Sequence, residues 1–344
     1  MEAERQQPTR RTLFKAAGLG LGAAAAAELA PAAALATAMT PVEGHFWSHE
    51  YWARKGDVQL YMYRKRKSAP HPGEHPLPVL FLVHGSSLSA RTSFDLTVPG
   101  AGEYSMMNVF ARYGYDVWTM DFEGYGRSTV TQGNSDIKSG VADLKAGTDL
   151  VARETGQKRS HFIGESSGAL RAGAFAMAYP DAVGRLVLTA LTYTGKGSPT
   201  LAKRAEQIEY YKTHNRRKRD IEMIRSIFTR DKPGTSDPRV PEAMAMAELP
   251  LGDTVPTGTY LDMVANLPVI DPAKIMAPVM VMRGQYDGIA TDADLLDFFA
   301  KLANQDRQFV VIAGAAHGLA TCYNREKFWH MAHAFLNMPE GRAV

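Results

Sequence analysis

The sequence predicts an α/β fold with a mostly parallel, doubly wound sheet and helices on both of its faces. Short, almost wholly apolar runs recur along the chain, as expected for strands that are buried on both sides. Stretches with helical patterns lie between these runs, and such alternation is typical of a parallel sheet. The chain has 344 residues, of which 45% are hydrophobic and 22% charged, so it can bury a large core.

The predicted elements follow one another in a regular order. One or two strands fall within residues 51–63, and a turn follows at residues 71–76. The buried strands expected after this turn span residues 78–83, 115–122, 160–163, 185–191, 279–282 and 308–312. The helices expected between and after them span residues 105–113, 137–155, 168–179, 292–304 and 325–336. Ligands bind beyond the carboxyl ends of parallel strands, so a functional site is expected in the loops that follow these runs.

Composition excludes several classes of function. Lysine and arginine number 39 and aspartate and glutamate 36, a net charge of +3 that is too small for a dedicated nucleic-acid-binding protein. No nucleic-acid partner is therefore expected. The single cysteine, Cys322, excludes an intramolecular disulfide and a multi-cysteine metal site. No cofactor and no metal site is predicted.

Residues 1–38 have the composition of an export signal. Arg10 and Arg11 are followed by an uncharged run of alanine, glycine and leucine at residues 16–27, and then by further small residues. This order of basic, apolar and small residues resembles a bacterial twin-arginine (Tat) signal peptide. The resemblance implies that the Tat translocase is a partner during export and that the mature protein is periplasmic or secreted.

A single membrane helix is the alternative for this segment. Glu28 and Pro31 interrupt the run, and alanine and glycine are too weakly apolar to cross the hydrocarbon layer well. We therefore expect cleavage of the signal and no stable membrane insertion of the processed chain.

Residues 192–268 break the alternation of strands and helices. This stretch is charged and helical in pattern without obvious buried strands, and it predicts a helical cap inserted between two parts of the core, residues 45–191 and 269–338. A basic cluster within it comprises Lys203, Arg204, Lys212, Arg216, Arg217, Lys218 and Arg219. This cluster is either a solvated helix face or a guide for anionic substrates or an acidic surface.

A candidate nucleophile follows the strand expected at residues 160–163. The sequence Gly-Glu-Ser-Ser-Gly at residues 164–168 matches G-x-S-x-G between a strand and a helix, which is the setting that this motif requires. The glycines permit a tight turn that projects the side chain of Ser166 above the edge of the sheet. Glu165, in the variable position, is interpreted as a turn residue and a candidate for the substrate pocket rather than a catalytic acid.

A serine hydroxyl needs a base that is itself oriented by a third group. His317 lies in a loop of small residues after the last predicted strand, which makes it the candidate base. Asp287 follows the strand before and is favoured as the third group. Asp292 and Asp294 are the alternatives, but they begin the next helix and suit its dipole. An oxyanion also needs N–H donors, and the backbone N–H of Ser167, directly after the nucleophile, is the first candidate.

Four features stand in the order found in one known family. They are His84-Gly85, the motif Asp-x-x-Gly-x-Gly-x-Ser at residues 121–128, the turn at Ser166, and the pair Asp287 and His317. The chain resembles the α/β-hydrolase-fold serine hydrolases, esterase- or lipase-like and with a helical cap. The resemblance implies that Ser86, after His-Gly, donates the second N–H to the oxyanion. It also implies that His84 holds its loop and that residues 121–128 have a mainly structural role.

The expected function is hydrolysis of a carboxylic ester or lactone through an acyl-enzyme, without a cofactor. The substrate is expected to be a small-molecule or oligomeric ester, and Phe122, Tyr125 and Tyr193 could line its pocket or belong to the core. The same residues can cleave amides or C–C bonds or transfer an acyl group to an alcohol. A ligand-binding protein of the same fold without turnover is a further alternative, and the sequence leaves the oligomeric state unknown.

Overall fold

The computed structural model of the chain describes residues 45–339, which are built around an eight-stranded sheet. The strands in this range are β1 Trp47–Lys55, β2 Val58–Arg66, β3 Val79–Val83, β4 Asp95–Thr97, β5 Glu103–Ser105, β6 Asp116–Met120, β7 Ser160–Glu165, β8 Val183–Thr189, β9 Arg216–Lys218, β10 Thr254–Pro256, β11 Val279–Gly284 and β12 Arg307–Ile312. The helices are α1 Ala90–Phe94, α2 Met106–Arg112, α3 Ile137–Thr155, α4 Ser167–Ala178, α5 Pro199–Ala205, α6 Ile208–Thr213, α7 Ile221–Thr229, α8 Arg239–Glu248, α9 Gly258–Leu261, α10 Asp292–Ala300 and α11 Arg325–Leu336.

The large sheet confirms the predicted mostly parallel architecture. Its strand order is β1-β2-β6-β3-β7-β8-β11-β12, and the six strands from β6 to β12 in this order are parallel to one another, whereas β2 pairs with β6 antiparallel. The first two strands form an antiparallel hairpin, in which Gly56 at φ +57° belongs to the two-residue turn. The carboxyl ends of the parallel strands therefore meet at one edge of the sheet.

The central strands of the sheet are buried on both faces, which favours apolar residues in them: β3, β6, β8 and β11 are buried at every position, whereas the edge strand β1 is mostly exposed. In β3, Phe81 packs into the hydrophobic cluster on one face, whereas Leu80 and Leu82 pack into the cluster on the other. Successive side chains of a strand point to opposite faces, so a strand covered by helices on both sides favours apolar residues at successive positions.

Of two predicted helices, one has the bounds that the local sequence predicts and the other ends earlier than predicted. Helix α3 spans residues 137–155, as the sequence predicts; at its start Asp136 accepts the Ser139 N–H at 2.7 Å, and Gly156, at φ +72°, follows its end. Helix α10 ends at Ala300 rather than at residue 304. The Arg307 guanidinium donates to three carbonyls at this helix end, at 2.7–3.1 Å, and so satisfies them where the chain leaves the helix.

The loop at residues 121–128 is held by its own side chains. The Asp121 carboxylate accepts the N–H groups of Ala90 and Arg127 at 2.8 and 2.9 Å. The Ser128 hydroxyl donates to the Asp121 carbonyl at 2.6 Å. A Cβ at Gly126 would lie 2.1 Å from the Asp121 carboxylate, so this position requires glycine. These contacts give the motif a structural role.

Residues 192–268, which we call the inserted segment, lie between β8 and β11 and contain helices α5 to α9. They also contain the antiparallel pair β9 and β10, which the sequence did not predict. Each of these strands has only three residues, too few for a pattern of alternation to be recognised. A buried ion pair within the segment joins Arg219 to Glu248, and the Ser89 hydroxyl donates to the same carboxylate at 2.7 Å.

The predicted export signal at residues 1–38 lies outside the described residues. In the part of the chain that the structure does describe, no helix combines the length and the apolar character needed to cross a membrane.

Candidate active site

The turn between β7 and α4 holds Ser166 in a strained backbone conformation. Its φ is +58° and its ψ −123°, in the region that favours glycine. The neighbouring glycines are required by space, because a Cβ at Gly164 would lie 2.6 Å from the Gly168 carbonyl oxygen, and a Cβ at Gly168 would lie 2.1 Å from that of Val83. The strand, the turn and the helix thus crowd together, and the serine projects from the turn.

The structure brings together the three side chains that the sequence predicts as a triad. Ser166 Oγ lies 3.1 Å from His317 Nε2, and His317 Nδ1 lies 2.9 Å from Asp287 Oδ1. All three residues are buried, with exposed fractions of 8% for Ser166, 6% for His317 and 3% for Asp287. This arrangement can pass a proton from the hydroxyl to an imidazole whose positive charge the carboxylate stabilises.

Asp287 is itself held in place. Its Oδ1 also accepts the Ile289 N–H at 3.0 Å, and its carbonyl oxygen accepts from the Arg283 guanidinium at 2.8 Å. Burial acts to raise the pKa of Asp287, but the charge and hydrogen bond of His317 outweigh burial and hold the pKa below its ordinary value. The carboxyl is therefore ionised at neutral pH beside the imidazole.

The two alternative carboxylates are engaged elsewhere. Asp292 forms an ion pair with Arg283. Asp294 accepts the N–H groups of Tyr193, Thr194 and Gly195 at 3.0–3.2 Å.

The two residues predicted to donate to an oxyanion lie side by side next to Ser166. Ser86 Oγ donates to Ser167 Oγ at 2.8 Å. A Cβ at Gly85 would lie 3.3 Å from the Cβ of Ser166, so the peptide between Gly85 and Ser86 passes close to the Ser166 hydroxyl.

His84 holds this peptide and is not placed to act as a base. Its Nδ1 lies 2.8 Å from the Gly85 carbonyl oxygen, and its Nε2 accepts the Phe122 N–H at 3.3 Å. Burial, helped by the charge of Arg171, lowers the pKa of His84 to about 3, so the ring is neutral. Because the C=O and N–H of a trans peptide point in opposite directions, anchoring the Gly85 carbonyl also fixes the direction of the Ser86 N–H.

The inserted segment supports the same loop with two residues that the sequence did not reveal. Thr259 Oγ1 donates to Ser86 Oγ at 2.8 Å, and the Tyr260 hydroxyl lies 2.8 Å from Ser87 Oγ. No motif marks either residue, since the contact depends on how α9 packs against the core.

Three of the four candidates for the pocket belong to the core instead, which is the alternative that the sequence left open for them. Phe122 and Tyr125 are each 1% exposed, Tyr193 is 8% exposed, and all three belong to the hydrophobic core. The Tyr125 hydroxyl donates to the Ser86 carbonyl at 3.0 Å, so Tyr125 holds the loop from behind. Tyr193 packs edge-on against Phe298. These aromatic rings fill the space beneath the loops and do not reach the pocket.

Glu165 does line the pocket that contains Ser166 and His317. Within residues 45–339 its carboxyl group has no hydrogen-bond partner. Burial, and to a smaller extent the charge of Asp287, raise the pKa of Glu165 to about 7. The group therefore changes charge near neutral pH, in the same pocket as Ser166.

The remaining pocket walls come from both parts of the molecule. The core contributes Gly85, Ser86, Ser87, Leu88, Ser93, Gly318 and Thr321, and the inserted segment contributes Arg204, Ile227, Phe228, Arg230 and Met244. The pocket thus has serine-rich walls near the triad and two arginines on the side of the inserted segment.

The basic cluster of the inserted segment divides between surface and interior. On the surface, Lys203, Lys212 and Lys218 pair with Glu206, Glu209 and Asp220 respectively. Arg216 donates to backbone and hydroxyl oxygens around Thr254, Arg217 lies over the Tyr260 ring, and Arg219 pairs with Glu248. Arg204 is the member of the cluster that lines the pocket.

One group of residues near the triad has the composition of a metal site. Asp231, Asp287 and His317 each offer a ligand atom, and these atoms lie within 4.8 Å of one another. Both nitrogens of His317 are, however, already at hydrogen-bonding distance from Ser166 and Asp287. The arrangement suits proton transfer through the imidazole, and a metal ion here would take the base away from the serine.

Comparison with known proteins identifies the family. Residues 98–321, more than half of the chain, match the hydrolase family described as serine aminopeptidase, S33. The chain belongs to this family. It is therefore a hydrolase, and the matched region of this serine aminopeptidase family member includes Ser166, Asp287 and His317.

The names of the curated relatives of this family member describe different activities. The chain is 36% identical over 124 residues to a 2-hydroxy-6-oxononadienedioate/2-hydroxy-6-oxononatrienedioate hydrolase of Paraburkholderia phymatum, covering 35% of this chain and 38% of that protein. It is 28% identical over 113 residues to the human gastric triacylglycerol lipase, covering 30% of this chain and 27% of the lipase. The chain thus spans well under half the length of the relatives it matches.

Solved structures share the fold of this family member over most of its length. An enol-lactonase from Burkholderia xenovorans superposes with a TM-score of 0.59 at 17% identity, covering 84% of this chain and all of that one. A carboxylesterase from Bacillus subtilis gives a TM-score of 0.57 at 14% identity, covering 85% of this chain and 92% of that one. At such identities the likeness shows the α/β-hydrolase fold alone.

Proposed function

We propose that this hydrolase cleaves a carboxylic ester or lactone through an acyl-enzyme on Ser166. The observation that carries the proposal is the pair of contacts that link Ser166 Oγ through His317 to Asp287, at 3.1 and 2.9 Å, at the wall of a pocket. A serine hydroxyl gains nucleophilic strength only from such an aligned base, and a structural serine does not need one.

The steps follow from the positions of these atoms. Ser166 Oγ attacks the carbonyl carbon while its proton passes to His317 Nε2, and Asp287 stabilises the imidazolium. The carbonyl oxygen becomes an oxyanion that accepts the N–H groups of Ser86 and Ser167. His317 then gives the proton to the departing alkoxide, which leaves as an alcohol. Water attacks the acyl-enzyme in the same way, with His317 as base, and releases the acid and free Ser166.

Cleavage of a C–C bond is the second candidate. It is favoured by the relative at 36% identity, whose name describes hydrolysis of a 2-hydroxy-6-oxo dienedioate. The names of the human lipase, the enol-lactonase and the carboxylesterase favour ester or lactone cleavage. Amide cleavage and acyl transfer to an alcohol use the same residues, and transfer would appear as product partitioning toward an added alcohol.

Labelling of the nucleophile tests the proposal. Three proteins are treated with a fluorophosphonate, and their intact masses are then measured by mass spectrometry. They are the parent chain, its Ser166→Ala variant and Ser226→Ala, a control at an exposed serine. The same proteins are then assayed with p-nitrophenyl esters of increasing acyl length and with a 2-hydroxy-6-oxo dienoate.

We expect a single adduct on the parent chain and on Ser226→Ala, and none on Ser166→Ala. Removing the nucleophile should lower kcat by about 10⁶-fold, because the triad acts as a unit. Near-parental turnover by Ser166→Ala would contradict the assignment. Absence of both labelling and turnover in folded protein would favour a ligand-binding protein without catalysis.

We also propose export by the Tat pathway to the periplasm or beyond. Support comes from Arg10 and Arg11 and from the uncharged run that follows them. Expression in a Tat-competent bacterium should give periplasmic or secreted, shortened protein, and the double substitution Arg10→Lys with Arg11→Lys should retain it in the cytoplasm. Export of the double variant, or of the parent chain in a strain without the Tat translocase, would contradict this proposal.

The inserted segment, residues 192–268, is proposed as a cap over the active site. Its side chains form one wall of the pocket, and Thr259 and Tyr260 contact the loop at Ser86. A cap in this position determines which acyl or alcohol groups reach Ser166.

A further inference from the structure

Arg204 carries a positive charge into the pocket, and no described residue forms an ion pair with it. It is partly buried, and it lines the same pocket as Ser166 and His317. Its guanidinium donates to the Met263 sulfur at 3.7 Å and lies 5.1 Å from the centre of the Tyr260 ring. Among residues 45–339 no carboxylate lies within 4 Å of it. Apart from this contact with the Met263 sulfur, no acceptor among the described residues takes its N–H groups, so several donors of the guanidinium remain for a ligand in the pocket.

Among the described residues, the charges around Arg204 do not compensate its own. Arg230, the other arginine that lines the pocket, is 3.3 Å from Asp231 through its Nε, so its charge is shared with a carboxylate. Burial and the nearby charge of Arg230 lower the pKa of Arg204 to about 10, which still leaves it charged at neutral pH. Glu165 lines the same pocket but makes no ion pair with Arg204.

We propose that Arg204 binds a carboxylate group of the substrate, so that the preferred substrates are esters or lactones that carry a second, free carboxylate. This inference rests on the proposed hydrolase function. The pocket then binds two groups of one substrate molecule. The scissile carbonyl lies beside Ser166, and an anionic group lies beside the inserted segment.

The charge balance of the site selects a carboxylate over a phosphate monoester. A guanidinium binds a carboxylate through two parallel hydrogen bonds, and the single charge of a carboxylate matches one unpaired arginine. A phosphate monoester carries nearly two charges at neutral pH, and the second cation, Arg230, is already shared with Asp231.

The test compares two matched series of esters. Mono-p-nitrophenyl esters of dicarboxylic acids are assayed beside p-nitrophenyl esters of monocarboxylic acids of equal length, and the ratio of their kcat/KM values is the measured quantity. The variants are Arg204→Met, which keeps an apolar stem against Tyr260, and Arg204→Lys, which keeps the charge without the bidentate geometry. Lys203→Met is the matched control, since Lys203 is 80% exposed and pairs with Glu206 on the surface.

We expect the parent chain to favour the carboxylate series and Arg204→Met to lower the ratio by about 10- to 100-fold, the worth of a hydrogen bond between charged groups. Arg204→Lys should lower it less, and Lys203→Met should leave it unchanged. Because the ratio is internal to each protein, partial loss of folded enzyme cancels. An unchanged ratio in Arg204→Met, or a parent chain that prefers neutral esters, would overturn the proposal. A preference for phosphate-bearing over carboxylate-bearing esters would overturn the choice of carboxylate.

Failure of the hydrolase function gives a different result. The chain would then neither cleave esters nor react with the fluorophosphonate, and the subsite is tested by calorimetric titration with adipate. Binding that Arg204→Met weakens by the same factor supports the subsite without turnover. Equal binding by both proteins, or none, overturns it.

Discussion

The loops at the ends of the core strands and the inserted segment both form walls of the pocket, but they hold their residues in different ways. Ser166, Asp287 and His317 each follow a strand of one sheet, and backbone hydrogen bonds between the strands set their spacing. Arg204 and Arg230 lie in or directly after short helices of the inserted segment, and their positions depend on packing at a distance.

This difference separates two kinds of task. Bond cleavage requires reacting atoms to be aligned within fractions of an ångström, and a hydrogen-bonded sheet provides that rigidity. Choice of substrate requires charge and shape at the far side of the pocket, which an insertion can change without disturbing the sheet. Substitutions in the core loops should therefore act mainly on kcat, and those in the inserted segment mainly on KM and on selectivity.

The sharpest test of this division uses two carboxylates near the same imidazole. Asp287 belongs to the core and Asp231 to the inserted segment, and both offer atoms within 4.8 Å of a His317 nitrogen. Asp287→Asn should lower kcat by about 10⁴-fold, because an amide cannot stabilise the imidazolium. Asp231→Asn should lower kcat by about tenfold at most, since Asp231 contacts Arg230 and Thr200. Equal losses in steady-state assays would show that the two carboxylates share one role.

The second prediction concerns what fixes the inserted segment. Glu248→Gln removes the charge that compensates the fully buried Arg219, and it should lower the free energy of unfolding by about 3 kcal/mol. Glu242→Gln is the matched control. This substitution breaks an exposed ion pair with Arg225 and should lower the free energy of unfolding by less than about 1 kcal/mol. Urea unfolding of both variants measures the difference. A cost for Glu248→Gln as small as that of its control would mean that the buried pair does not anchor the segment.

The smallest effect is expected at Glu165, where burial raises the pKa from 4.5 to about 7. The folded protein binds more protons than the unfolded chain between these values, so the contribution of Glu165 to stability falls as pH rises through this window and stays low above it. Glu165→Gln removes this penalty. The variant should be more stable than the parent chain above pH 7, by about 1–3 kcal/mol, and should show no such gain below pH 4.

Thermal unfolding of Glu165→Gln and of the exposed control Glu154→Gln across this pH range checks the prediction. A gain that does not depend on pH would contradict it, as would an equal gain in the control.

Much of the fold could be predicted because strands that are buried on both faces of a sheet are recognisable in the sequence as short apolar runs. The runs around Phe81 and Val281 are apolar at nearly every position, and in the structure Ser166, Asp287 and His317 come together in the loops that follow the strands of this sheet. The pairs β4–β5 and β9–β10 left no such signal, because their strands have only three residues each.

The aromatic residues show where local pattern fails. Phe122 and Tyr125 lie in a loop after a core strand, as pocket residues would, yet they are buried beneath it against His84. A ring in such a loop can turn toward the ligand or toward the core, and the packing of the neighbouring elements decides which.

The sequence by itself determined the α/β sheet, the turn at Ser166 and the order of the residues that follow its strands, since each of these depends on neighbours within a few positions. Only the tertiary structure decided which basic residues of the inserted segment face outward and which face the pocket. Lys203 and Arg204 are adjacent in α5, yet one pairs with Glu206 in solvent and the other enters the pocket without a carboxylate partner among the described residues. A helix of seven residues presents its sides according to what packs against it, and the elements that pack against α5 are distant in sequence.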